Sequence, residues 1–153
     1  MRRALPVLAL TALLAGCGGK SKPAEASRLT QKQFVSQANR VCIASDRRIF
    51  RIGNLSADPS GWRKTSASAK TALAQMRALR PPAAKQQGFD RLLRLGTQLQ
   101  REIALVAKAL VEHDLPKARA AQTRATRVDT QIKLQARSLG LTFCEQLLTN
   151  WPA

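Results

Sequence analysis

Apolar residues return at three- and four-residue steps through most of this chain, in four runs cut apart by glycine, proline and aspartate, and that pattern leaves few architectures open. In the first run Phe34, Ala38, Val41, Cys42, Ser45, Ile49 and Ile52 fall on one face of a helix that stops at Gly53. Thr30 and Gln33 have the spacing of a capping box, and Leu29 with Phe34 that of the hydrophobic staple around it. Asp58 and Pro59 offer a cap and a first-turn proline to a second helix, with Trp62, Ala69, Leu73, Met76 and Leu79 inward and the Pro81-Pro82 pair at its end. Pro82 also suits the first position of a third helix, striped by Phe89, Leu92, Gly96, Leu99, Ile103, Val106 and Leu110. At 1.5 Å per residue, its length of about 30 residues outreaches the first two helices by about 12 Å.

Asp114 caps a fourth helix, which tolerates Pro116 in its first turn and turns Leu115, Ala118, Ala125, Val128, Ile132 and Leu139 inward until Gly140. Thr142 and Glu145 repeat the capping-box spacing, which predicts a short helix carrying Cys144, Leu147 and Leu148. Period-two alternation is missing throughout. The predicted fold is all-α: a four-helix up-down-up-down bundle with short connections, closed by a short C-terminal helix, in a single domain spanning residues 29–153.

Ahead of that domain the chemistry changes. Arg2 and Arg3 precede an apolar stretch from Ala4 to Leu14, about a dozen residues, too short to span a bilayer and suited to an export signal. The arginine pair lacks the rest of a twin-arginine pattern, so it reads as the n-region of a general secretory signal. Leu14, Ala15, Gly16 and Cys17 resemble a bacterial lipobox. The resemblance implies a signal peptide over residues 1–16 and a mature chain that starts at Cys17, lipidated on sulfur and carrying a palmitate-type acyl chain on its amine. Two acyl signals on one residue anchor stably where one would not. Residues 17–28 then hold the lipidated cysteine and a small, polar, unpatterned segment with the composition of a flexible tether.

With Cys17 lipidated, Cys42 and Cys144 remain as a pair in an oxidising compartment. A disulfide between them would clasp the last helix to the first. A metal or redox pair has less behind it, because there is no C-x-x-C and the single histidine, His113, is distant in sequence.

Three stretches, F-x-x-x-A-N-x-x-C (Phe34, Ala38, Asn39, Cys42), L-x-P-P (Leu79, Pro81, Pro82) and L-G-L-x-x-C (Leu139, Gly140, Leu141, Cys144), make the chain resemble a family of small bacterial helical lipoproteins and exported proteins of unknown function. That resemblance implies a helical domain with a first-to-last cysteine pairing, and it brings no activity, cofactor or substrate.

The formal net charge is +17. Outside the cell such an excess does not mean nucleic acid; it points to anionic lipid, an anionic envelope polymer or an acidic partner, with a solvated arginine-rich surface as the plainer reading. In the antiparallel arrangement the tether, the start of the first helix, the second-to-third turn and the end of the fourth helix share one end. Lys20, Lys22, Arg28, Lys32, Arg77, Arg80, Lys85 and Arg137 gather there against Glu25 and Glu145, whereas the far end mixes signs. Against this, Arg94, Arg101 and Lys108 form a heptad-spaced stripe that speaks for charge on every solvated face.

Catalytic chemistry finds little to use. There is no G-x-S-x-G, P-loop, H-E-x-x-H or haem-attachment motif, and His113 sits in EHDLP, a turn. Glu112 and Asp114 beside it, with Asp58 at the same end, make a poor metal set. Asn54-Leu55-Ser56 matches a glycosylation sequon by chance, and Trp62 and Trp151 suit packing. The reading is a non-enzymatic lipoprotein without cofactor or metal, anchored at the extracytoplasmic face of the cell membrane and contacting anionic lipid or envelope polymer. The alternatives are a small-molecule or peptide-binding module, in which Gly96 and the alanine-rich second helix open space between helices, and a scaffold for another envelope protein.

Overall fold

The computed structural model describes residues 27–53 and 58–145. Four long helices follow one another: α1 (Gln31–Ile52), α2 (Pro59–Arg77), α3 (Gln86–Val111) and α4 (Leu115–Leu139), with a one-turn α5 (Thr142–Glu145) after them. Each packs on its neighbour in sequence, α1 on α2, α2 on α3 and α3 on α4, while α5 lies against both α4 and α1. This is the up-down-up-down bundle, and among the described residues it contains no strand.

The helix boundaries come from local chemistry. Thr30 accepts from the Gln33 amide while the Gln33 side chain takes the Thr30 amide, completing the capping box, and Leu29 packs on the core beside it. Asp58 accepts from the amides of Ser60 and Gly61, and Asp114 from that of Lys117, so the prolines behind them occupy first turns that have no amide to lose. Gly140 ends α4 with φ +78°, the left-handed conformation that a side chain disfavours, and the amides of Gly140 and Leu141 close on the Arg137 and Ala136 carbonyls.

Two helix starts differ from expectation. Pro82 does not begin α3; it is extended at φ −54°, ψ 148°, and a 3-10 turn over Ala83–Lys85 takes the next residues. The third helix is therefore 26 residues against 22 and 19 for α1 and α2, and its overreach is smaller than predicted. Thr142 does not cap α5 but lies inside it: the Glu145 amide bonds the Leu141 carbonyl, and the Glu145 carboxylate turns to Arg137.

The core is apolar and drawn from every helix. Phe34 meets Phe89 edge-on, ring centroids 5.2 Å apart, and Trp62, Ile103, Val106, Ala125, Leu139 and Leu141 are sealed along the length of the same core. The predicted stripes hold on α1 and α3. On α2 the buried positions also include Thr65 and Ser68, whose hydroxyls are satisfied, Thr65 by the Gly61 carbonyl and Ser68 by Arg48. Leu115, expected inward, is exposed: it is the first residue of α4, and burial on that helix begins one turn later at Ala118.

Cys42 and Cys144 are joined, their Cα atoms 5.2 Å apart and their side chains buried. The Phe143 amide donates to Asn39 Oδ1 next to this bridge. The seam between the first and last long helices is thus filled by α5 and its disulfide.

Candidate functional site

The end from which the N-terminal segment leaves the bundle is tied together by hydrogen bonds between elements far apart in sequence. The Leu29 amide donates to the Arg80 carbonyl at 2.8 Å, and the Arg28 guanidinium donates to the Pro81 carbonyl at 3.1 Å and Gln86 Oε1 at 2.8 Å. Gln31 reaches the Leu139 carbonyl, and Lys85 Nζ the Ser138 carbonyl at 3.3 Å. The start of α1, the α2–α3 connection and the end of α4 therefore meet. Backbone geometry favours cations here too, since the C-termini of α2 and α4 carry partial negative charge and each has an arginine in its last turn, Arg77 and Arg137.

Of the residues predicted to contact an anionic surface, Arg28, Lys32, Arg77, Arg80, Lys85 and Arg137 lie at or next to this end. Lys85 is half-buried and the other five are exposed. Arg77 also donates to Thr97 on α3 at 2.8 Å, which holds it along the flank. Arg137 differs from the rest: its guanidinium is ion-paired with Glu145, whose carboxyl is held below its ordinary value first by that hydrogen bond. Lys20, Lys22 and Cys17 lie outside the described residues, as do Asn54, Ser56, Leu147, Leu148 and Trp151.

The opposite end mixes signs. His113 takes a positive φ of 57° in the α3–α4 turn and is exposed. Glu112 sits between Lys108 and Lys117, and Asp114 faces Lys117. These acids are partnered by lysines, and no group of three or more histidine, cysteine or carboxylate side chains is placed to hold a metal among the described residues. On α3, Arg94, Arg101 and Lys108 are all exposed. No helix among the described residues is long and apolar enough to cross a membrane.

A second feature lies inside the bundle. Gly96 brings α2 close to α3: a Cβ placed on it would stand 2.7 Å from Leu73 Cδ2. Close packing and open space coexist there, because Gly96, Ala69 and Ala72 also border a cavity of about 110 Å³ whose wall includes residues from all four long helices. Two polar side chains reach it, Ser45 from α1 and Asp129 from α4. Asp129 is 8% exposed; its Oδ2 pairs with Lys133 Nζ at 2.8 Å, and its Oδ1 is buried with no partner among the described residues. Burial pushes the Asp129 carboxyl above its ordinary value, while Lys133 pulls it the other way.

Asp129 was absent from the sequence-based candidates. Its signal was positional: a carboxylate four residues after Ala125 and three before Ile132, on the inward stripe of α4. No family model, no curated protein and no solved structure matches this chain.

Proposed function

We propose that this chain is a non-enzymatic lipoprotein of the cell envelope, anchored through Cys17 at the extracytoplasmic face of the cell membrane, whose basic end rests on anionic lipid or an anionic envelope polymer. The observation that carries this reading is the convergence of the chain's exit point with the basic residues of the α2–α3 connection, fixed by the hydrogen bonds of Arg28 and Leu29. Ten residues separate Cys17 from Arg28, and a flexible chain of that length would span about 17 Å. An anchor there holds the basic end within a Debye length or two of the surface, about 8 Å each at physiological ionic strength. The orientation is then set by charge: each lysine or arginine near an anionic leaflet contributes up to about 1 kcal/mol.

The test is sedimentation of the domain from residue 29 onward with neutral and anionic vesicles over a salt series. Neutralising Arg77, Arg80 and Lys85 together is expected to weaken binding to anionic vesicles by up to about a hundredfold. Neutralising Arg94, Arg101 and Lys108 removes the same charge from the flank of α3 and serves as the control. Equal losses in the two triple variants would reduce the charge to a solvated background and defeat the reading.

A further inference from the structure

We infer that the open cleft between α3 and α4 is a binding groove for a linear anionic polymer that carries hydroxyls between its charges. Gln87, Arg91, Arg94 and Gln98 line it from α3, and Gln135 from α4. Gly88 keeps one end clear, because a Cβ there would stand 3.1 Å from Gln135 Nε2 and from a Leu139 methyl, crowding both. No carboxylate lines the cleft among the described residues. The two acids of α3 are engaged elsewhere: Asp90 accepts from Gln86, and Glu102 is paired with Arg124 at 3.0 Å. The side chains of Gln87, Arg91, Arg94 and Gln98 make no hydrogen bond or ion pair among the described residues. Arginines at other helix contacts do, Arg48 with Ser68, Arg77 with Thr97 and Arg137 with Glu145. Gln135 gives its amide to Ser138 and keeps Oε1 as an acceptor.

The layout of the charge selects the ligand. Cations that converge on one point suit a single compact anion, but here Arg91 and Arg94 stand about 4.5 Å apart along the helix axis and Arg101 follows about 10 Å further on. All three are exposed on the same flank. A row of about 15 Å meets successive charges of an extended chain, and each guanidinium offers paired N–H donors to a carboxylate or phosphate. Gln98 falls between Arg94 and Arg101, and its amide both donates and accepts, which suits the hydroxyls of a sugar or polyol between charged groups. None of Arg77, Arg80 and Lys85 lines the cleft, so the inference stands independently of membrane contact at the basic end.

The test uses the full chain in nanodiscs of neutral lipid at about 0.15 M salt, where distant charges are screened, with isotopically labelled nitrogen in the arginine and glutamine side chains. Hexagalacturonate offers carboxylates, and a glycerol phosphate oligomer of the same length offers phosphodiesters; maltohexaose, which is uncharged, and galacturonic acid, a single charge, are the comparators. Saturable shifts of the Arg91, Arg94, Gln98 and Gln135 side-chain signals are expected with at least one of the two charged oligomers, which thereby names the anion. Both comparators should bind at least about tenfold more weakly. The double variant Arg91→Gln/Arg94→Gln alters exposed positions where both residue types favour helix, and should weaken the preferred oligomer by about tenfold. Removing the same charge from exposed positions on α1, in Arg40→Gln/Arg47→Gln, should cost less than about threefold. Equal losses in the two double variants would make the row solvated background. Binding of neither charged oligomer, or of maltohexaose as tightly, would show that the cleft does not select a polyanion. Any of these results overturns the proposal.

Discussion

Breaking the Cys42–Cys144 bridge tests the architecture most directly, because nothing else described in the structure links α5 covalently to α1 across the seam beside α4. The bridge spans 102 residues of sequence. In the chain-entropy account, opening a loop of about 100 residues returns roughly 4.7 kcal/mol of freedom to the unfolded chain. Total stabilities of such domains are about 5 to 15 kcal/mol, so reduction removes a large part of what holds this one together. Unfolding entropy of about 2.1 cal/mol/K per residue, over a domain of about 120 residues, converts the loss into a fall in Tm of roughly 15 to 20 °C. Both cysteines are buried, so reduction should be done on unfolded protein that is then refolded, and melting followed by circular dichroism at 222 nm. The double variant Cys42→Ala/Cys144→Ala completes the test. Reduction keeps both sulfurs in the core whereas alanine removes them, so the difference between the two melting points isolates packing from chain entropy. A reduced protein that melts within about 5 °C of the oxidised one would refute the loop-entropy argument.

Further outcomes follow from single positions. Gly140→Ala places a side chain at φ +78° and should cost about 1 to 2 kcal/mol by denaturant titration; no loss would mean that the turn re-forms with another geometry. Gly96→Ala sets the gain of about 1 kcal/mol in helix propensity against a contact with the terminal methyl of Leu73, which has the neighbouring cavity to move into. A net stabilisation is therefore expected, and destabilisation beyond about 1 kcal/mol would show the Gly96–Leu73 contact to be unyielding. The Asp58 carboxyl is held below its ordinary value, first by the Ser60 hydroxyl and then by the Ser60 amide. A depressed value in the fold means stability present above about pH 4 and lost as pH falls through the folded value. Asparagine caps about as well, so Asp58→Asn should match the parent at neutral pH and decline less steeply in acid; parallel acid titration curves would contradict this. Cys17→Ser should leave the protein unprocessed or untethered, and a variant still cleaved and membrane-bound would exclude the lipobox.

Local chemistry alone determined the sequence of elements. Capping residues and prolines act within four residues of themselves, so Thr30, Asp58, Asp114 and Gly140 mark boundaries wherever the rest of the chain lies. The inward stripes of α1 and α3 follow for the same reason, since a 3.6-residue period needs no knowledge of the partner. The cysteine pair was legible because the lipobox reading set Cys17 aside and left two cysteines. Where two local signals overlapped, the sequence misled: Pro82 suits both a helix start and an extended turn, and the pull of the α2–α3 connection toward Leu29 and Arg28 belongs with the second. Likewise the Thr142 and Glu145 spacing is real, but Arg137, eight residues away and brought near by the reversal at Gly140, takes the carboxylate.

The functional features split along the same line. The basic end was readable from topology, because antiparallel order assigns each turn to an end. The pairing of Arg137 and the anchoring of Arg28 were not. The cavity belongs wholly to the tertiary structure: a glycine and two alanines on two helices show only that space is available, and whether that space closes or stays open depends on the distance between helix axes set by the entire core. For the same reason Asp129 reads in sequence as one more acid beside a lysine, and only the packing of α4 against the other helices makes it a buried carboxylate paired through one oxygen.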